Sequence, residues 1–163
     1  VEMAFRNAVL GLAIDHPFAR RLVNAGRLSV PCQLTDSHLN GHDDPAFEVP
    51  QQVGMVALDA PLTGIDGAPC WLMSQLGGAF TCLVVGDADP DSGIIPDDVA
   101  VVRIGKGGFS DIDGKVAERY GRGIYLFRPD QHVAARWAAP EPGDIAAALA
   151  QSIAQPPHAQ AGA

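Results

Sequence analysis

Hydrophobic positions in this chain gather into short runs, and the runs differ in rhythm from one part of the chain to the next. From Phe80 to Val85, Val99 to Ile104 and Ile124 to Phe127 they are continuous rather than alternating. That is the pattern of strands covered on both faces, as in a parallel or mixed sheet with helices on each side. Stretches of helical composition, Trp71 to Leu76 and Asp113 to Tyr120, precede the first and third runs. After the third, the chain turns through Arg128-Pro129-Asp130, where proline fixes φ and aspartate favours a turn, and a strand-like run from Val133 to Trp137 follows at once. The pattern predicts a β-hairpin. Pro140 and Pro142 close it, and Gly143-Asp144 precedes the alanine-rich run IAAALAQSIA, with the aspartate placed to cap a helix start.

Three further parts frame this core. Residues 1–26 carry a helical rhythm, with Phe5, Val9, Leu12 and Ala13 on one face, a break at Pro17, and a resumption from Phe18 to Val23. Residues 27–52 hold Pro31, Pro45, Pro50 and the Asn40-Gly41 turn among polar residues, the composition of an extended linker. The regular domain is expected over 53–155, and 156–163 as a disordered tail. The expected class is α/β: a mixed sheet with flanking helices whose closing hairpin and helix resemble the end of a thioredoxin-like domain. Between Val85 and Val99 the chain is too rich in proline, glycine and aspartate for a full helix, so the helix expected there is shortened or lost.

Hydrophobic residues make up 47% of the 163, enough to build a core. No apolar run reaches the length of a membrane span and no leader pattern opens the chain, so neither a membrane nor secretion is expected and the cytoplasm is. Lys and Arg number 11 against 19 Asp and Glu, and the net charge of −8 opposes phosphate backbones and anionic lipid, which removes nucleic acid from the partners.

Candidate chemistry is sparse. Redox-active thioredoxin-like domains carry Cys-x-x-Cys in the loop after the first core strand, with a thiol at a helix N-terminus, whereas this loop reads Gly86-Asp87-Ala88-Asp89-Pro90. Cys82 lies inside a strand, where burial raises a thiol pKa, and Cys32 and Cys70 are distant from it in sequence. Asp87, Asp89 and Asp91 alternate and Asp98 falls at the twelfth position, the spacing of a calcium loop. Pro90 and Ser92 stand where that loop needs its turn, and the reading is a solvated acidic loop. His38 and His42 are separated by a turn dipeptide and read as solvated linker residues. Gly105-Lys106-Gly107-Gly108 lacks Walker spacing and reads as a flexible loop. No G-x-S-x-G, H-E-x-x-H or G-x-G-x-x-G motif is present, so no catalytic, cofactor-binding or metal residue is assigned.

The hairpin carries a resemblance. Arg128, Pro129, Asp130, His132, Val133, Ala134 and Arg136 are similar to the end of FAD-dependent aromatic hydroxylases, the phenol, hydroxyphenylpropionate and polyketide hydroxylases. Their C-terminal domain finishes in a strand, Arg-Pro-Asp-Gly, then His-Val-Ala-Trp-Arg. Gln131 replaces the glycine, which implies a strained turn costing about 1 kcal/mol, and Ala135 replaces the tryptophan, which loses an aromatic that faces a partner. Upstream, residues 27–31 and 36–40 resemble the segment that joins the catalytic part to the terminal domain. The resemblance implies a C-terminal accessory domain, structural or subunit-contacting, that binds no cofactor and is inactive alone. It also implies a parent that uses FAD and NAD(P)H, and partners in the preceding flavin and substrate domains of the same chain or in a second copy. The competing reading is an autonomous thiol-redox or peroxidase-like domain using Cys82.

Overall fold

In the computed structural model, which describes residues 2–16, 32–86 and 93–153, the chain divides into two units, Val1–Cys32 and Gln33–Ala163. The first holds helix α1, Glu2–Asp15, which stops before Pro17 because a proline disfavours helical geometry in the residue ahead of it. Its Met3, Phe5, Leu10, Leu12 and Ile14 are exposed. The resumption from Phe18 to Val23 lies outside the described residues.

In the second unit, Pro61–Thr63 (β1) and Pro69–Trp71 (β2) pair antiparallel, and a single 3-10 turn, Leu72–Gln75, follows where a helix from Trp71 to Leu76 was expected. The main sheet is built from Thr81–Val85 (β3), Ala100–Ile104 (β4), Gly123–Phe127 (β5) and Val133–Trp137 (β6), in the order β4-β3-β5-β6. β4 runs parallel to β3, while β5 is antiparallel to both β3 and β6, with a bulge at Leu126/Phe127. Helix α2, Lys115–Tyr120, leads into β5, and α3, Asp144–Ser152, follows β6. This is the expected α/β architecture, compatible with a thioredoxin-like description. Asp144 does not cap α3 from outside: it is the first helical residue, and its Oδ2 accepts from the Glu141 amide at 2.9 Å. No helix among the described residues is long and apolar enough to cross a membrane.

Every residue of β3, β5 and β6 is buried, and the continuous hydrophobicity has the expected cause. On one face Leu83, Val85, Tyr125 and Phe127 pack with Val116 and Tyr120 of α2 and with Leu62, Leu72 and Leu76. On the other, Cys82, Val84, Ile124 and Leu126 meet Ile145, Ala148 and Leu149 of α3. The Tyr120 hydroxyl donates to the Leu58 carbonyl at 2.8 Å, and the Tyr125 hydroxyl donates to the Tyr120 carbonyl.

The compact unit begins at Gln33, not at residue 53. The stretch read as a linker is described from Cys32 onward, has no helix or named strand, and lies along the outer edge of β6. Gly41 donates to the Ala134 carbonyl at 2.7 Å, Arg136 to His42 at 2.9 Å, Gly54 to Val133 at 2.9 Å and Val133 to Met55 at 2.9 Å. An uncovered edge strand leaves a row of backbone groups without partners, and this polar segment supplies them. Gln51 is fully buried. Of the segment between Val85 and Val99, residues 93–99 form turns and bends, and residues 87–92 lie outside the described residues, as does the tail from 154.

Gly123 opens β5 at φ +147°, and a Cβ there would stand 2.4 Å from Phe47 Cζ and 2.6 Å from the Trp137 carbonyl oxygen. We expect Gly123→Ala to destabilise the domain by about 3 kcal/mol. Gly67→Ala, at φ +80° with open space around its Cβ, should cost only about 1 kcal/mol. Urea unfolding of the two variants checks the difference.

Candidate functional site

The hairpin turn is held by an ion pair folded back on itself. Arg128 leaves β5 with its amide donating to the His132 carbonyl at 2.9 Å, and the Gln131 amide closes the turn onto the Arg128 carbonyl at 2.9 Å. The Arg128 side chain is buried, its Nε donates to Asp130 Oδ1 at 3.1 Å, and a second guanidinium nitrogen meets Asp130 Oδ2. Asp130 also accepts from the His132 amide at 3.1 Å, and His132 Nδ1 lies 3.3 Å from its Oδ1. Partial burial pushes the Asp130 carboxyl up, but the hydrogen bonds from Arg128 and His132 outweigh it and hold the carboxyl below its usual range.

Gln131 has φ +66°, the single positive-φ residue other than glycine among the described residues. The strain inferred from its replacement of glycine is therefore present. Its side chain compensates: Nε2 donates to the Leu76 carbonyl at 2.9 Å and the Met73 carbonyl at 3.1 Å, fastening the hairpin tip to the 3-10 turn.

Arg136 is the second buried cation, 5% exposed in the middle of a strand. Its Nε donates to Asp43 and another guanidinium nitrogen to the Gln51 carbonyl, while the guanidinium lies 5.0 Å from the Phe47 ring centroid. Beside it, burial pushes the Tyr125 phenol up to about 12. Asp44, next to Asp43, accepts from the Ala138 and Ala46 amides, which hold its carboxyl below the usual range. Phe47 and Gln51 were not singled out in the sequence, and Asp43 was read only as a neighbour of the solvated linker histidines His38 and His42, although a cation inside a buried strand demands a carboxylate and acceptors somewhere. The signature is thus built into the domain: Val133 and Ala134 are fully buried, both arginines are paired, and His132 caps the turn.

Position 135 does not face outward. Ala135 is fully buried, and a Cβ built on Gly41 would stand 3.4 Å from the Ala135 Cβ and 3.3 Å from that of Ala148. An aromatic there would point into the chain's own helix α3. Cys82 has no exposed surface, and burial pushes its thiol up to about 12. His42 stacks on Trp137, with ring centroids 6.1 Å apart at 15°. The glycine loop is closed on itself: Gly105 donates to Phe109 at 2.9 Å, Gly108 to Gly105 at 3.0 Å and Phe109 to Arg103 at 2.9 Å, so these amides do not line a phosphate cradle. The acidic loop's Asp87, Asp89 and Asp91 lie outside the described residues. Among the described residues no group of three metal-ligating side chains converges.

No protein-family model matches the chain, and no curated protein matches it. Solved structures do. The flavin-dependent monooxygenase PieE, solved with FAD and substrate, matches at 29% identity and a TM-score of 0.50, over 75% of this chain and 24% of that one. Aklavinone-11 hydroxylase, solved with FAD and aklavinone, matches at 26% identity and a TM-score of 0.52, over 69% of this chain and 24% of that one. The chain is similar to one portion of FAD-dependent monooxygenases and spans about a quarter of their length.

Two outcomes follow from the electrostatics. Asp130 and Asp44 have depressed folded-state values, so their contribution is present above the unfolded carboxylate range and is lost as pH falls through the folded one. We expect the urea midpoint to be flat from about pH 7 to about pH 5 and to fall below about pH 4. Asp130→Asn should lower the plateau by about 1 to 2 kcal/mol, less than breaking a fully buried pair because Asp130 is half exposed, and should flatten the acid limb. For the thiols, iodoacetamide at about pH 8 should modify exposed Cys32 about a thousandfold faster than Cys82, whose reaction should follow unfolding.

Proposed function

We propose, starting from this likeness to FAD-dependent monooxygenases, that the chain is the C-terminal accessory domain of a cytoplasmic aromatic hydroxylase that uses FAD and NAD(P)H. In that role it supports the catalytic part or a subunit contact and catalyses nothing itself. The observation that carries the reading is the coverage: three quarters of this chain matches enzymes of which it spans only 24%. The hairpin supports it, since Arg128, Asp130, His132 and Arg136 serve the domain's own packing. The parent's flavin and substrate sites belong to the remaining three quarters of such an enzyme, where a dinucleotide loop sets the pyrophosphate on a helix N-terminus.

Helix α1 supports the same reading. Phe5, Met3 and Ile14 are each about three-quarters exposed, apolar surface of the kind that a preceding domain or a second copy covers. The thiol-redox alternative is disfavoured by the full burial of Cys82, because a reactive thiol needs access and a stabilised thiolate.

Purified as it stands, the chain should be colourless, retain no FAD and leave NADH and NADPH unoxidised. Extended by the coding sequence upstream of Val1, it should carry flavin absorbance and oxidise NAD(P)H when a phenolic substrate is added. Stoichiometric flavin on the chain alone, or an upstream sequence without a dinucleotide-binding loop, would overturn the proposal.

A further inference from the structure

Asparagine followed by glycine is the dipeptide most prone to lose its side-chain amide, because glycine has no side chain to keep its own backbone nitrogen away from the asparagine Cγ. The sequence holds one such pair, Asn40-Gly41, in the segment that covers the edge of β6. Packing favours both residues. A Cβ at position 41 would stand 3.3 Å from that of Ala148 and 3.4 Å from that of Ala135. At position 40 a donor is required, since Asn40 Nδ2 donates to the Leu34 carbonyl at 2.6 Å and reaches the Thr35 carbonyl at 3.4 Å. Leu34 in turn donates to the Gly54 carbonyl at 2.9 Å, so this one side chain ties the two ends of the segment together.

The same contacts withhold the reaction. The Gly41 amide must give up its proton to attack, and it donates that proton to the Ala134 carbonyl of β6 at 2.7 Å. The Asn40 amide donates to the Ser37 carbonyl at 3.0 Å, and the Asn40 carbonyl accepts from the Gln151 side chain of α3. Asn40 Oδ1 is buried. Backbone and side chain are thus fastened to different partners, and the Gly41 nitrogen and the Asn40 Cγ cannot swing together.

We propose that Asn40-Gly41 is a deamidation site, silent while residues 33–55 lie closed along β6 and active once that segment opens. In the open chain the Gly41 nitrogen bonds to Asn40 Cγ, the Cγ–Nδ2 bond breaks, and the Gly41 proton leaves with Nδ2 as ammonia. One water then opens the cyclic imide to aspartate or isoaspartate, with no oxidant or cofactor involved. Neither product fits the closed arrangement. A carboxylate has no proton to donate, so the Leu34 carbonyl would face a second acceptor in place of its donor. In isoaspartate the main chain also runs through one more carbon, which moves Gly41 from its place against Ala134 and Ala148. Opening thereby becomes one-way, and the segment that neutralises Arg136 and covers β6 stays loosened.

The test follows Asn40 by peptide mapping and mass spectrometry in the full chain held at mildly alkaline pH, with and without guanidinium chloride. Deamidation should be about a hundredfold slower in the folded chain, because it proceeds from a rare open state. Gln151→Ala removes the tie from α3 at an exposed position, and should speed the folded-state reaction about tenfold without changing the rate in guanidinium. Asn40→Asp carries the product's charge, and should make the Gly41, Gly54 and Arg136 amides exchange hydrogen about tenfold faster while Leu83 in β3 and Tyr125 in β5 keep their protection. Equal rates in the folded and unfolded chain, a Gln151→Ala chain that reacts no faster, or an Asn40→Asp chain whose segment amides stay protected or whose β3 and β5 amides lose protection would overturn the proposal.

Discussion

The pairing of Arg136 with Asp43 is the interaction on which the rest of this domain depends. Arg136 stands in the last strand of the sheet with 5% of its surface exposed, and a guanidinium cannot occupy that place without partners. Asp43, the Gln51 carbonyl and the Phe47 ring meet it from one segment, and the same segment satisfies the backbone of β6 through Gly41, His42, Gly54 and Met55. Charge neutralisation and edge protection are thus one event. Phe47 in turn requires Gly123 at the start of β5, where any side chain would collide with its ring. The chain from 41 to 55 is therefore a part of the sheet's architecture despite having no regular structure of its own.

The hairpin tip works on a similar economy. Arg128 and Asp130 neutralise each other within the turn, and Gln131 trades a disfavoured backbone conformation for two hydrogen bonds to the 3-10 turn. Glycine at that position would relax the backbone and lose the tether. The two solutions differ in where the stability resides: in a relaxed chain, or in a contact between the tip and residues 73–76.

Much of this was legible beforehand, and what was not has a common cause. The runs ending at Val85 and Phe127 became strands because burial on both faces leaves an unbroken apolar record, Val133 to Trp137 became one residue for residue, and the run ending at Ile104 became an edge strand whose Ala100 and Val101 are exposed. The strain at Gln131 was legible because one residue type is poorly suited to one backbone region. The start of the compact unit was not. Residues 33–52 are held by backbone hydrogen bonds and by an ion pair to a residue 93 positions away, and neither leaves a periodic trace in the polar composition. At Ala135 the departure from the hydroxylase pattern was visible, but its direction into α3 was not.

Gly41, Ala135 and Ala148 come from three separate parts of the chain, and their near contact sets how closely α3 and residue 41 approach β6. Their volumes act as a sum. A relative with tryptophan at position 135 needs a helix set further from its sheet and a different course for the segment carrying residue 41. Chimaeras between this domain and such a relative must exchange all three regions as a block, because a hairpin grafted alone would bring a side chain for which the recipient has no room.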